Sequence, residues 1–330
     1  MRKLKIGMIS FAHGHAKSYV QQLSKLPEVE IIGIADDNRE RVQKWTTSIS
    51  YYDDYRELLQ TDADAVIICS ENVHHAKLTI EAARAGKHVL CEKPLGVAID
   101  EMEQMIAVCK ENGVQLMTAF PCRYLPAVVQ AKLAVERGDI GEILSIKGTN
   151  RGSLPGGWFL DKSMSGGGAV FDHTVHVMDL MNWFIGSRVV EVYAEADTLF
   201  HDIDVDDAGM VHAKFANDVI AVLDTSWSRS KSFPFGGDVT MEITGTKGVL
   251  SVNGFAQKNE VYSDDVMKAQ WSYWGDNMDE FMVRAFVQAL LNDEPVPVTG
   301  EDGLRSTEVA IAAYESVRAG APVKLPAGKQ

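Results

Sequence analysis

The first half of the chain alternates short apolar runs with amphipathic segments, and few architectures accept that alternation. Leu4 to Ile9, Val29 to Ala35, Ala63 to Cys69, Lys87 to Cys91 and Gly113 to Phe120 read as strands. Ala16 to Leu26, Asn38 to Trp45, Ala76 to Ala85 and Asp100 to Glu111 read as the helices between them. Parallel neighbours need a long crossover, normally a helix, so this order predicts a doubly wound parallel sheet. Ligands of such sheets bind at the carboxyl ends of the strands. The residues of this half that carry chemistry should therefore lie in the loops that follow the strands.

The first such loop is Ser10-Phe11-Ala12-His13-Gly14-His15. Strand, tight turn, helix and a second strand ending in an acid is the order of a dinucleotide-binding unit, whose turn ordinarily carries three glycines. Here Ser10, Ala12 and His15 stand in the glycine places and Gly14 alone is glycine. Asp36 ends the second strand, where a carboxylate can accept from both ribose hydroxyls and would repel a 2'-phosphate. NAD is thus favoured over NADP, with Arg39 near enough in sequence to soften that repulsion. The competing reading is that Asp36 or Asp37 caps the next helix. After the third strand, Ser70, Asn72 and His75 are candidates for cofactor contact, although Asn is also a frequent cap. After the fourth comes Glu92-Lys93-Pro94, where proline fixes the backbone beside a lysine that can hydrogen-bond a substrate hydroxyl. A lone lysine after a strand is otherwise a solvated surface residue.

From Glu142 the character changes. Ile143 to Thr149, Val189 to Ala196, Val211 to Phe215, Val219 to Trp227, Thr240 to Gly245 and Val249 to Val252 read as strands joined by turns. They predict a mostly antiparallel sheet with helices on one face and the other face open or paired with a partner. Within this half the run Gly166-Gly167-Gly168 opens a helical segment that places Asp172, His176 and Asp179 at i, i+4 and i+7, on one polar face. A carboxylate and an imidazole one turn apart can share a proton or grip a polar substrate. The alternative is a capped surface helix with a satisfied histidine. Asp172 with His173 and His176 could hold a metal only with a distant ligand such as His201 or Asp204, since adjacent helical residues point about 100° apart, and no metal is expected.

Charge excludes some partners. With 46 acidic against 32 basic side chains the formal net charge is -14, which disfavours nucleic acid and anionic membrane. Cys69, Cys91, Cys109 and Cys122 show no metal-type or disulfide-framework spacing, which suits a cytoplasmic protein. No apolar run approaches a membrane span, and the basic start lacks a signal peptide's apolar core.

Taken together, Gly86 to Pro94, Gly166 to Asp179, and Glu301-Asp302-Gly303 with Tyr314 resemble the Gfo/Idh/MocA oxidoreductases, which include glucose-fructose oxidoreductase and inositol dehydrogenase. The resemblance spans nearly the whole chain. It implies a Rossmann-type NAD(P)-binding domain over residues 1–122 and a substrate-binding and oligomerisation domain over 123–330, with the last helices able to pack back on the first. It implies a sugar, cyclitol or related polyol as substrate and a homodimer or homotetramer through the open sheet face. By position, Lys93 contacts substrate and nicotinamide, His176 is the acid/base, and Asp172 binds substrate and orients both. Arg123, Trp158 and His173 join them as substrate-binding candidates. The cofactor side comprises Ser10, Ala12, His13, Gly14, His15, Asp36, Ser70, Asn72, His75, Glu92 and Lys93. The expected reaction is NAD-dependent oxidation of a secondary hydroxyl. Alternatives are an NAD-dependent glycosidase or epimerase that oxidises transiently, and a non-catalytic NAD- or sugar-binding protein. The chain departs from the family in its turn, in Glu71 where proline is usual, and in His173-Thr174 where an apolar residue and glycine are usual.

Overall fold

The computed structural model describes residues 2–265 and 267–326. In chain order the first stretch holds β1 (Leu4–Ile9), α1 (His15–Leu23), β2 (Val29–Ala35), α2 (Arg39–Val42), β3 (Tyr51–Tyr52), α3 (Tyr55–Leu59), β4 (Ala65–Ile68), α4 (His75–Arg84), β5 (His88–Cys91), α5 (Ile99–Glu111) and β6 (Leu116–Thr118). There follow α6 (Pro126–Glu136), β7 (Ile143–Thr149), α7 (Lys162–Ser165), α8 (Ala169–Ile185), β8 (Val189–Asp197), β9 (Ala208–Phe215) and β10 (Ile220–Asp224). The chain ends with β11 (Thr240–Gly245), β12 (Gly248–Asn253), β13 (Lys258–Ser263), β14 (Lys268–Tyr273), α9 (Met278–Leu291), α10 (Gly300–Ala319) and β15 (Val323–Lys324). These elements form two compact units, Met1–Pro121 with Met278–Leu304, and Cys122–Asn277 with Arg305–Gln330.

The first unit is built on a parallel sheet in the order β3-β2-β1-β4-β5-β6. Its central strands are apolar throughout because both faces are covered: Ala65, Val66, Ile67 and Ile68 of β4 are all buried. The order reverses at β1, between β2 and β4, which creates a crevice at the carboxyl ends there. Three details differ from the sequence reading. Strand β3 is only two residues long, too short to show a pattern. The helix expected to Trp45 stops at Val42, and its cap is Asn38, whose side chain accepts from Glu40 N, so neither Asp36 nor Asp37 has that role. Strand β6 is confined to Leu116–Thr118, and on the side away from β5 Thr118 N donates to Val298 O at 3.1 Å.

The second unit carries a sheet in the order β12-β11-β7-β10-β9-β8-β15. Its pairs are antiparallel except β7 with β10. The register puts alternate residues on opposite faces, and the two faces differ sharply. Val211, Ala213, Ala221 and Leu223 are buried under α8, while Met210, Ile220 and Val222 point outward and are exposed. The hairpin β13–β14 forms a separate ladder that the sequence reading did not include.

Candidate active site

The crevice of the first unit holds a cavity of about 420 Å³, lined by Ser10, Asp36, Ser70, Glu71, Tyr55 and His74 among others. Asp36 sits at its floor with both carboxylate oxygens engaged: Oδ2 accepts from Phe11 N at 2.6 Å and Oδ1 from Asn38 N at 2.7 Å. Burial raises its pKa, against the lowering effect of those two amides. Each oxygen has a second lone pair, so the carboxylate can still accept from a ribose. The cation beside it is Arg41, 3.6 Å away, and not Arg39, which lies over the Tyr51 ring. Ser10 adopts φ +65°, the left-handed conformation for which the first fingerprint glycine is used, so the turn keeps its shape without the residue. A cavity of this kind with a carboxylate at the end of β2 fits the adenosine end of a dinucleotide.

The remaining residues predicted for this loop set are placed less uniformly. His75 is fully buried, its Nδ1 2.8 Å from Pro94 O and its Nε2 3.2 Å from Ser70 O, so it braces the two loops from behind. Burial keeps it below the ordinary histidine pKa. Asn72 is buried as well, and it is His74 that reaches the cavity. The sequence carries no signal for His74, which lies in the short 3-10 turn Asn72–His74 ahead of α4, where no periodicity tells which side chain faces the crevice.

At the end of β5, Glu92 is buried and surrounded by donors. Its Oε1 accepts from the Tyr19 hydroxyl and lies 3.0 Å from His15 Nδ1, while Oε2 accepts from Lys93 N at 3.1 Å. Burial alone would raise the pKa of this carboxyl; the charges of His13, His15 and Lys93 outweigh it and hold the group well below the usual carboxylate range. For His15 burial likewise opposes the charged form, and Glu92 overcomes it, so the imidazole pKa is raised. His13 accepts from His15 N through Nδ1 at 3.2 Å and packs edge-on against that ring, 4.2 Å between centroids. Lys93 is almost wholly buried.

In the second unit the candidate groups stand on α8. The helix forms because Val170, Phe171, Thr174, Val175, Met178 and Met181 recur at three- and four-residue spacing and bury one side. Its first turn is fixed by a cradle the sequence did not reveal. Asp206 accepts from Gly168 N at 3.1 Å and Val170 N at 2.8 Å, and from the Tyr314 hydroxyl at 2.7 Å; that hydroxyl in turn accepts from Gly168 N at 2.9 Å. A Cβ on Gly168 would lie 2.0 Å from Asp206 O, and one on Gly167 2.3 Å from the Tyr314 oxygen, so both positions require glycine. Asp206 lies in an acidic run with Asp202, Asp204 and Asp207, and nothing in the sequence distinguishes it from them.

Asp172 and His176, one turn apart, are half-buried. Trp227 Nε1 donates to Asp172 Oδ2 at 3.3 Å, His173 Nε2 lies 3.3 Å from the same oxygen, and Cys122 Sγ lies 3.8 Å from His176 Nδ1. His173 packs against Gly152 and the edge of Trp227. Asp179, expected on the same polar face, is instead fully buried and bound by Arg123 through two hydrogen bonds of 2.7 and 2.6 Å. Arg123 thereby ties the segment after β6 to α8. Trp158 is half-buried and stacked on Phe159 at 3.9 Å, and Phe159 packs on the Ala169–Val205–Trp227 cluster.

Residues 4–120 match the family described as an oxidoreductase family with an NAD-binding Rossmann fold, and residues 128–251 match the GFO/IDH/MocA C-terminal domain. An uncharacterized oxidoreductase of Bacillus subtilis, YrbE, is 34% identical, covering 94% of this chain and 93% of that protein. Myo-inositol 2-dehydrogenase of Thermotoga maritima is 28% identical, covering 98% of each chain. Among solved structures, GenD2 from gentamicin A biosynthesis in complex with NAD superposes with a TM-score of 0.91 at 26% identity, over 99% of this chain and 97% of that one. Two domain matches in the expected order and a relative alike along almost its whole length make the chain a member of the Gfo/Idh/MocA oxidoreductases, an enzyme family whose first domain binds NAD.

Proposed function

We propose that this protein oxidises a secondary hydroxyl of a sugar, cyclitol or related polyol, with NAD as the hydride acceptor. NAD, when bound, supplies an electrophilic nicotinamide ring; the loops after β1, β2, β4 and β5 hold it, with Asp36 on the adenosine ribose. The protein's own part is proton management and positioning. His176 takes the hydroxyl proton, Lys93 polarises the same oxygen with its ammonium, and Asp172 accepts from a substrate hydroxyl while Trp227 and His173 steady its carboxylate. The observation that carries this reading is the half-buried carboxylate and imidazole one turn apart on a helix whose start is clamped by Asp206 and Tyr314. It is supported by relatives named as inositol dehydrogenases, and by levoglucosan dehydrogenase solved with NADH and levoglucosan, which shares the fold at 25% identity. The four cysteines are buried thiols outside any disulfide, which suits a reducing cytoplasm, and the exposed Met210, Ile220 and Val222 suit a homo-oligomer formed through the open sheet face.

The test is a polyol and sugar screen with NAD and NADP in parallel, reading NADH absorbance, followed by His176→Ala and Lys93→Met on the substrate found. Loss of acid/base assistance should reduce kcat by about 10²–10⁴-fold while leaving measurable turnover. Unchanged turnover in both variants would refute the assignment. Consumption of substrate without NADH would point to transient oxidation, as in epimerisation or elimination.

A further inference from the structure

Charge at the adenosine end of the crevice is one-sided. The cavity after β1, β2 and β4 is lined by the carboxylates of Asp36, Asp37, Asp53, Asp54 and Glu71 against the cations Arg56 and Lys77. Arg56 is itself paired with Asp54 and Glu81, each at 3.3 Å. A third cation, Arg41 on α2, stands among the acids. Its Nη1 lies 3.6 Å from Asp36 Oδ1 and 3.3 Å from Asp37 Oδ1, and its Nη2 lies 3.9 Å from Glu71 Oε1. One guanidinium thus joins the loop after β2 to the loop after β4. The three carboxylates do not weigh equally on it. The Asp37 side chain is 86% exposed, and solvent screens its charge. The Asp36 side chain is buried and that of Glu71 is only 14% exposed, so water screens these two much less.

A 2'-phosphate brings up to about two negative charges and three acceptor oxygens to the place of a ribose hydroxyl. An arginine within reach of the ribose is the usual means of binding it, because the planar guanidinium fork matches a phosphate. Arg41 has the position for that task, since Asp36 marks where the ribose hydroxyls lie and the two side chains are neighbours. Arg39 does not, being held over the Tyr51 ring at 5.2 Å. The surroundings of Arg41 are what disqualify it: Asp36 and Glu71 together outweigh its single positive charge before Asp37 is counted. We propose that Glu71 is a specificity-determining residue, which engages Arg41 from the loop after β4 and cancels its charge, so that a cofactor carrying a 2'-phosphate finds no usable cation there. Asp36 repels the phosphate, and Glu71 withholds the group that would offset the repulsion. With Glu71 neutral, Arg41 would balance Asp36 and the crevice would accept both cofactors. The inference deepens the NAD-dependent reading given above and rests on it.

The experiment is calorimetric titration of the full chain with NAD and with NADP, without a polyol, so that no turnover intervenes. The two ligands differ only in the 2'-phosphate, and the ratio of their Kd values reports on that group alone. The wild type should bind NAD the more tightly. Glu71→Gln keeps the shape of the side chain and removes its charge; it should lower the ratio Kd(NADP)/Kd(NAD) about tenfold at low salt by tightening NADP, and the shift should shrink as salt is raised. Glu71→Ala should move the ratio in the same direction. Combined with Arg41→Gln, the Glu71→Gln change should give no gain over Arg41→Gln alone, because the released guanidinium is what the phosphate uses. Melting temperatures check that each variant is folded. An unchanged ratio in both Glu71 variants overturns the inference and leaves the NAD-dependent reading standing. The same gain in the Arg41→Gln background also overturns it, since Glu71 would then act on the phosphate directly or Lys77 would be binding it. A wild type that binds NADP as tightly as NAD overturns it at the outset. Failure of the wild type to bind either dinucleotide overturns both readings.

Discussion

Glu92 shows how one side chain can set the charge state of its surroundings. It is buried and accepts from Tyr19 and Lys93 N while paired with His15, so its loss would leave donors without a partner. Its pKa is lowered, so its contribution to stability is present above about pH 4.5 and is lost as pH falls through the folded value. The raised pKa of His15 gives a contribution present below about pH 6.5 and lost as pH rises through its folded value. Glu92→Gln should therefore destabilise most between those limits, by about 1–3 kcal/mol once the solvent screening at the one-third-exposed His15 is taken into account. Urea unfolding followed across pH measures it, and a uniform loss at all pH values would contradict the pairing. The placement of these groups was legible: Asp36 at the end of one apolar strand and Glu92-Lys93 at the carboxyl end of another. Arg41 and His74 were not: a four-residue helix has too little periodicity to show which side faces a crevice, and His74 lies in the short turn Asn72–His74 that precedes α4.

Among the elements, α8 depends most on groups far away in sequence. The glycine run announced its start, yet the reason for the glycines is Asp206 and Tyr314, brought in from the loop before β9 and from α10. Tyr314→Phe removes a hydroxyl that donates to Asp206 and accepts from Gly168 N, and should cost about 1–2 kcal/mol in thermal unfolding. Because it shifts the helix carrying Asp172 and His176 without touching substrate, kcat should fall with KM little changed; an equal change in KM would mean direct contact. The polar face read from spacing held for Asp172 and His176 and failed at Asp179, since periodicity locates a face and says nothing of an arginine from another element covering its end. The hairpin β13–β14 escaped notice for a related reason: Lys258-Asn259-Glu260-Val261-Tyr262-Ser263 alternates too weakly to announce a strand before its partner is known.

For the molecule as a whole, the alternation of the first half fixed a parallel sheet and its crevice, and the run of strands after Glu142 fixed an open sheet. The parallel pairing of β7 with β10 was beyond reach, because pairing across more than seventy residues is decided by the register of strands between them. The outward face of that sheet carries Met210, Ile220 and Val222 in the open. Val222→Glu should leave the fold intact and convert an oligomer to a monomer in sedimentation velocity; a wild type already monomeric would refute assembly through this face. No helix among the described residues is long and apolar enough to cross a membrane.

The first unit is also discontinuous, and that has a consequence in time. Its sheet is complete at Thr118, but α9, which packs against α1, lies beyond the 156 residues from Cys122 to Asn277. A ribosome adding about 5–20 residues per second needs roughly 8–30 s to cover that distance. Throughout that interval the nascent sheet waits without one of its covering helices, and the side of α1 destined for α9 is open to whatever chaperone attends the emerging chain.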